Sequence, residues 1–372
     1  MKLKKKGILA SGILALFCLL FAALFGIGEG AVKGMTEELD ALTAGERWSA
    51  DGEPYAVITL HTDENSAFSR SRIESFAMSI DSGLLNASIE SAENGSAWTY
   101  SYFTENMLSV TGTKATSQIQ TMAVGGSFFT FHPLDFVYGA PFSYDRALPD
   151  GVVLDEDAAW RLFGAIDVVG MTLQIGGRDM TVTGIVQKER DTDGYTRAYG
   201  DIPRMYMSYY GYENIYGEGS SITTYEVTLP NPVKGFAMNI FETAVQVNED
   251  TMILRENSAR YSIFNRFDRM KELPFMGMRN DRISYPYFEN EMQVTDYRTS
   301  LWMVFQTASG AGALICLLAA VICLFASGFS VTAGLKATGQ SIGSLWKKRE
   351  RTRIRHKKKK RSKKPVLQPE EL

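Results

Sequence analysis

Two long apolar runs frame the sequence, and a mixture of polar and apolar positions fills the chain between them. The stretch 7–28 has no charged residue and is rich in Leu, Ala, Ile and Phe, and a second uncharged stretch covers 301–335. About 20 apolar residues suffice for a helix to cross a bilayer core, where every backbone group must pair inside the segment. The pattern predicts two transmembrane helices, at 7–28 and within 301–330.

The region 29–300 shows both periodicities of secondary structure and no internal repeat. A helix is expected to continue the first span over 32–46, and another at 67–85, capped by Asn65 or Ser66. A third helix is predicted at 236–247. Strand patterns occur at 55–60, 98–103, 107–111, 119–124, 222–229 and 251–255. The sequence therefore predicts an α+β domain over 29–300.

The most specific local pattern lies between 149 and 187. A short apolar strand, 152–154, is followed by Asp155, a strong helix N-cap residue, and by Gly164, a typical helix stop. The two half-alternating segments 171–175 and 180–186 flank a Gly-Gly pair and predict a β-hairpin with one buried face.

Charge is sorted along the chain. Residues 1–6 carry four Lys, and 347–364 hold thirteen Lys or Arg against one acid. The middle, 29–300, has 21 basic and 39 acidic residues. Basic residues beside a span stay in the cytoplasm, so 1–6 and 331–372 are expected to be cytoplasmic and 29–300 extracytoplasmic in a cell membrane. A cleaved signal peptide is the alternative for the first run, but signal cores usually have only about 7–15 apolar residues.

Residues with catalytic or ligand-binding chemistry are sparse. The three cysteines, Cys18, Cys316 and Cys323, fall inside the apolar runs, and the three histidines are far apart in the sequence. Neither a Gly-x-x-x-x-Gly-Lys-Ser/Thr motif nor a Gly-x-Ser-x-Gly motif occurs. We therefore expect no catalytic residues, no cofactor and no metal, and no enzymatic activity.

Five features have a structural and a functional interpretation. The acidic run 155–157 is a helix cap or a metal site, and 191–194 hints at a calcium loop that lacks its other ligands. The Tyr-rich stretch 205–216 is core or a binding surface. The basic tail 347–364 favours anionic lipid or an acidic partner over nucleic acid. Small residues spaced four apart suggest close helix packing: Ala22, Gly26 and Gly30, and Ala308, Gly312 and Cys316.

Several segments, in order, resemble the permeases of MacB/FtsX-type ABC transporters. Residues 124–129 resemble the family's approach to its mid-domain loop, and 138–142 resemble a glycine-containing segment of the family. Residues 152–164 resemble its strand–helix segment, and 167–173 with 180–186 its hairpin. The stretch Tyr285-Pro-Tyr-Phe-Glu-Asn290 resembles the segment that some branches have before the second span. The resemblance covers about 1–330. Members usually have four spans and a Glu-Ile-Gly segment after the second; here two spans occur, and that position reads Lys336-Ala-Thr-Gly-Gln-Ser-Ile-Gly343.

The resemblance implies a non-catalytic permease-like subunit with a MacB-like core domain. Its implied partners are a separate ABC ATPase and a four-span permease, in a homo- or hetero-oligomer, for export or a cell-envelope process. Two other functions stay open: a membrane-anchored binding or sensing module, and a two-span polysaccharide chain-length regulator. The long outer helices typical of that last class are not predicted by the strand-rich region 29–300.

Overall fold

The computed structural model describes residues 2–37, 39–49, 54–89, 96–143, 149–188, 201–248, 250–273 and 283–326. They form two compact units. The described residues of the helical unit are 2–29 and 305–326, and those of the sheet unit lie within Gly30–Val304. The calcium-loop candidate 191–194 and the basic tail 347–364 lie outside the described residues.

The described helices are α1 (Lys2–Thr36), α2 (Asp40–Trp48), α3 (Arg70–Asn86), α4 (Phe128–Phe131), α5 (Glu156–Phe163), α6 (Tyr209–Tyr216), α7 (Phe236–Val245), α8 (Ile263–Met270) and α9 (Tyr287–Ala326). The described strands are β1 (Tyr55–Thr62), β2 (Phe68–Ser69), β3 (Thr99–Thr111), β4 (Thr116–Gly126), β5 (Phe136–Gly139), β6 (Gly151–Asp155), β7 (Thr172–Ile175), β8 (Arg178–Val186), β9 (Arg204–Ser208), β10 (Ser220–Ile222), β11 (Thr224–Pro230) and β12 (Met252–Glu256). The mixture confirms the α+β class.

One large mixed sheet organises the sheet unit. Its strands run in the order β12-β1-β11-β3-β4-β9-β6-β8-β5, and β7 joins from the side by pairing with β3 and β8. Most neighbours are antiparallel, whereas β4 with β9 and β6 with β8 are parallel pairs. The strand that follows α2 and the last strand before α8 are thus neighbours, since β1 pairs with β12.

Both faces of the central strands are buried, and alternate residues serve different cores. Met205 and Met207 of β9 face the larger core, beneath α5 and α6, whereas Tyr206 between them belongs to a second core on the other face. Val153 of β6 and Phe103 of β3 join Tyr206 there. Side chains of a strand point alternately to opposite faces, so apolar runs in these strands supply two layers at once.

The predicted segment at 149–187 is confirmed. The Asp155 carboxylate accepts a hydrogen bond from the Ala158 backbone N–H at 2.7 Å, so the first acid of the run caps α5. Gly164 ends the helix with a φ of 78°, in the left-handed region that glycine adopts without strain. Strands β7 and β8 form the antiparallel hairpin.

Three predicted boundaries were wrong. The helix expected over 32–46 is divided, since α1 ends at Thr36 and α2 begins at Asp40. The two strands predicted at 98–103 and 107–111 are one strand, β3, because the polar residues between them keep pairing with β4. The cap of α3 is Ser69, which accepts from the Arg72 N–H, rather than Asn65 or Ser66.

In the described residues, two helices are long and apolar enough to cross a membrane: α1 from Lys6 and α9. Within the helical unit, Gln306 of α9 donates from Nε2 to Glu29 Oε1 at 2.9 Å and to the Phe25 carbonyl at 3.3 Å. A Cβ on Gly28 would lie 2.6 Å from the Gln306 side chain. Of the small residues predicted to allow close helix packing, Gly312 lies against the Phe21 ring. Gly26 makes no such contact, since a Cβ added there would meet no described atom within 4 Å.

Candidate functional site at the base of helix α9

Helix α9 begins inside the second core of the sheet unit, well before its apolar segment. Tyr287 and Phe288 in its first turn are both buried. The Tyr287 and Tyr206 hydroxyl oxygens are 3.1 Å apart, and the Phe288 ring stacks on His132 with centroids 3.9 Å apart. Aromatic side chains bury a large area with few rotatable bonds, so this turn is firmly seated on the sheet.

A buried guanidinium then ties α9 to the segment that follows β12. Arg260 donates to both carboxylate oxygens of Glu289, each at 2.9 Å, and to Asp296 Oδ2 at 2.6 Å. All three residues are buried. A planar guanidinium that binds a carboxylate through two parallel hydrogen bonds fixes orientation as well as distance.

Two more arginines balance the charge of this cluster. Arg269 of α8 pairs with Asp296 Oδ1 at 2.6 Å, and Arg255 of β12 approaches Glu289 Oε1 at 3.5 Å. Burial would lower the pKa of Arg260, but attraction to and hydrogen bonds with Glu289 and Asp296 raise it well above its ordinary value. For Arg269 the balance is the opposite: burial outweighs the attraction of Asp296, and the pKa of Arg269 is lowered.

Polar contacts continue from Arg260 into the sheet. Arg260 donates to Asn257 Oδ1 at 3.2 Å, and Asn257 Nδ2 donates to Thr59 Oγ1 on β1 at 2.9 Å. The Thr59 hydroxyl reaches Glu226 of β11 at 3.5 Å, and Glu226 pairs with His132 Nε2 at 2.8 Å. The chain of contacts returns to α9, because His132 is the residue that stacks on Phe288.

His61 lies at the other side of the same carboxylate. Its Nε2 is 3.9 Å from Glu289 Oε2, and its Nδ1 is 3.1 Å from the Thr224 hydroxyl. Burial lowers the pKa of His61 to about 4, against the opposing attraction of Glu289 and Glu226 and with the aid of Arg255 and Arg260. The imidazole is therefore neutral near pH 7.

Helix α2 packs against α9 close to the ion cluster. Leu39, Ala41 and Met292 form a small apolar core, with Tyr261 at its edge. The Tyr261 hydroxyl donates to the Met292 carbonyl at 3.0 Å. The chain segments that follow α1 and precede the apolar part of α9 thus meet in the sheet unit, so this base can hold both in one arrangement.

The structure separates the residues that the sequence singled out. In the Tyr-rich stretch, Tyr206 and Tyr209 are buried core, whereas Tyr216 is exposed. His61 and His132 each contact a carboxylate, and His356 lies outside the described residues. Among the described residues, no group of three or more His, Cys, Asp or Glu is arranged to hold a metal ion.

Sequence reasoning missed Arg260, Asp296 and Arg269 altogether. Glu289 was noted only as part of the segment 285–290. The available signal was an acid directly after two aromatic residues, Tyr287 and Phe288, since a carboxylate in an apolar turn needs a cation. Its partner lies 29 residues away along the chain, beyond the reach of local patterns.

The sequence profile of the MacB-like periplasmic core domain matches residues 12–251. No curated protein sequence matches the chain. The periplasmic region of MacB from Actinobacillus actinomycetemcomitans is similar at 14% identity with a TM-score of 0.38, over 55% of this chain and 89% of that one.

The extracellular domain of the ABC-type transporter YknZ from Gram-positive bacteria is similar at 12% identity with a TM-score of 0.37, over 54% of this chain and 100% of that one. The profile covers well over half of the sequence. The chain therefore belongs to the family with a MacB-like periplasmic core domain, the domain of ABC-type transporter permeases, and is a membrane protein of that family.

Proposed function

We propose that this chain is a non-catalytic permease-like subunit that couples a separate ABC ATPase in the cytoplasm to movement of its own extracytoplasmic domain. One observation carries the proposal. Helix α9 runs without a break for 40 residues, from a buried ion cluster in the sheet unit through an apolar segment long enough to cross the membrane.

Such a helix transmits displacement because it is stiff and because its outer end is fixed. Glu289 and Asp296 lie seven residues apart, so Arg260 holds about two turns of α9 through one side chain. Removing one partner of a buried ion pair costs about 3–5 kcal/mol. A shift or rotation of α9 at the cytoplasmic side therefore moves the cluster, and β12 with it, rather than sliding past them.

The proposal includes a topology. Residues 1–6 and 331–372 are cytoplasmic, 7–28 and 301–330 span the cell membrane, and 29–300 form the extracytoplasmic domain. The acidic balance of 29–300 and the basic residues at both ends support this orientation. The tail 347–364 would bind anionic lipid at about 1 kcal/mol per basic residue near the surface.

Partners follow from the same reasoning. The family works with ABC ATPases, and we expect such a subunit here, together with a four-span permease in a hetero-oligomer or further copies of this chain. The transported or processed substrate would be handled at the outer face, for export or for a cell-envelope process.

The first experiment identifies the ATPase. The full-length chain, tagged and crosslinked in intact membranes, is purified and its partners are identified by mass spectrometry. An ABC ATPase enriched over a tagged, unrelated two-span protein is the expected result. Ligand binding by the chain with no ATPase in any crosslinked complex would instead favour the sensing module.

The second experiment tests the coupling site. In the reconstituted complex, Glu289→Gln keeps the size of the side chain but removes the charge that binds Arg260. We expect ATPase binding to be unchanged and ATP-dependent protease protection of 29–300 to be lost. Glu218→Gln, at an exposed carboxylate of the same domain, is the matched control. Unaltered protection in the Glu289 variant would contradict coupling through this cluster.

A further inference from the structure

A second arginine, Arg204, lies against the first turn of α9. Its guanidinium carbon is 4.7 Å from the centroid of the Tyr287 ring, and the same group pairs with Glu105 of β3. Both Arg204 and Tyr287 are buried. A guanidinium over an aromatic face is attracted by the ring, and more strongly where water is excluded. The first turn of α9 is therefore restrained by Arg204, at a point separate from the cluster around Arg260.

The backbone of Arg204 has a partner on a different element. Arg204 is the first residue of β9, and its N–H donates to Asp155 Oδ2 at 2.9 Å. The other oxygen of this carboxylate, Oδ1, accepts from the Ala158 N–H at 2.7 Å and caps α5. Asp155 is fully buried, so both hydrogen bonds are shielded from water. One carboxylate thus joins the start of β9 to the start of α5, and a shift of Arg204 changes the geometry of the cap.

Helices α5 and α9 lie over opposite faces of the sheet. Leu162 of α5 belongs to the larger core, whereas Tyr287 of α9 belongs to the second core. Arg204 is two residues before Tyr206 in β9, so its side chain points to the second core as that of Tyr206 does. Its N–H lies in the plane of the sheet and bonds to Asp155. A displacement on one face can therefore pass to the other face through this residue.

We propose that Arg204 is a positioning residue that transmits a displacement of the first turn of α9 to α5. The inference rests on the proposed function, since it carries the movement of α9 beyond β12 to a helix on the other face. A long side chain absorbs motion when it is free to change rotamer, but Arg204 is held by Tyr287, Glu105 and, through its own N–H, Asp155. A shift of the Tyr287 ring therefore displaces the first residue of β9. The hydrogen bond to Asp155 weakens steeply as its angle departs from linear, and the cap of α5 weakens with it.

Hydrogen exchange in the full-length protein in detergent micelles tests this route. Tyr287→Leu removes the ring that Arg204 covers, whereas Tyr287→Phe keeps the ring and removes only the hydroxyl, 3.1 Å from that of Tyr206. Mass spectrometry measures the exchange of the α5 amides relative to those of α3, so that a general loss of stability cancels. We expect this ratio to rise about fivefold in Tyr287→Leu, the effect of losing a typical helix N-cap, and to stay unchanged in Tyr287→Phe. Tyr287→Met replaces the Leu variant if that variant does not fold.

Arg204→Met completes a double-mutant cycle. In that background we expect Tyr287→Leu to change the ratio by less than about twofold, because the connection is already broken, whereas a purely structural role for Arg204 gives additive effects. An unchanged ratio in Tyr287→Leu alone would mean that α5 does not respond to α9, and would overturn the proposal. The same rise with and without Arg204, or an equal rise in Tyr287→Phe, would assign the route to another contact and overturn it equally. The cycle uses this chain alone, so its result does not depend on whether an ATPase binds.

The reconstituted complex separates this proposal from the proposed function. There, ATP should raise the exchange of α5 in the unaltered chain, and Arg204→Met should abolish that rise. Absence of ATP-dependent protease protection in the unaltered chain would refute the coupling to an ATPase and leave the result of the cycle standing. ATP-dependent protection with the same rise at α5 in Arg204→Met would refute the role of Arg204 alone.

Discussion

Helices α3 and α9 are attached to the same sheet by different chemistry. Helix α3 contributes Ile73, Phe76, Ile80 and Leu84 to the larger core, whereas α9 combines buried aromatic side chains with the ion cluster of Arg260, Glu289 and Asp296. Apolar contact weakens in proportion to the area lost, but a buried ion cluster fails when one charge is removed. The first attachment tolerates adjustment, and the second permits one register of α9 only.

The largest effect is expected from Arg260→Met. Glu289 and Asp296 would stay buried without their main cation, so the free energy of unfolding should fall by about 3–5 kcal/mol. Chemical denaturation of the full-length protein in detergent micelles measures it. Arg178→Met, at an exposed position of β8, is the control and should change stability by less than about 0.5 kcal/mol. A small effect at Arg260 would mean that water or Arg255 compensates for the loss.

A pH titration tests the same ion cluster through His61, whose Nε2 lies 3.9 Å from Glu289 Oε2. The pKa in the folded protein, about 4, lies below the ordinary value of 6.5, so the unfolded chain takes up the proton first. Stability should fall as the pH drops from 6.5 towards 4, by up to about 3 kcal/mol, and His61 should add no further slope below 4. His61→Gln should flatten this part of the stability–pH curve. An unchanged slope in that variant would assign the dependence to other groups.

The smallest effect should come from the apolar attachment. Ile80→Val removes one methylene from a fully buried side chain of α3 and should cost about 0.5–1.5 kcal/mol. The ATP-dependent protease protection of the sheet unit should be unchanged, because α9 keeps its partners. Thermal denaturation and the protection assay on the same preparation measure both. Loss of protection here would show that the two attachments are not independent.

Local chemistry made part of the fold predictable. The Asp155 cap, the Gly164 stop and the hairpin of β7 and β8 depend on neighbours within a few residues, and all three were predicted and confirmed. Strand β3 was predicted as two pieces because Thr104, Glu105 and Asn106 interrupt its apolar pattern. Pairing with β4 along its whole length, a property of two segments together, decides that case.

The candidate site was less accessible to sequence reasoning for the same reason. Arg260 has the sequence context of an exposed residue, between Ala259 and Tyr261 in a polar stretch. Its burial depends on α9 folding back beside the end of β12. The orientation of α8, with Arg266 buried and Phe264 exposed, was also not predictable, since periodicity reveals that a helix has two faces but not which of them the protein covers.

The adjacency of β1 and β12 has a mechanical consequence. The strands are antiparallel, with Ile58 opposite Glu256, so the start of β1 and the end of β12 lie at the same end of the pair. A force that pulls the chain before β1 away from the chain after β12 would break the backbone hydrogen bonds of this pair one at a time. A pair loaded in this way resists far less force than one in which all the hydrogen bonds are sheared together. Asn257 lies at that opening end, where its N–H donates to the Val57 carbonyl at 2.7 Å and its side chain binds Thr59. Asn257 thus closes the end of the pair, and tension that passes the ion cluster of α9 reaches this residue before the backbone hydrogen bonds farther along β1 and β12.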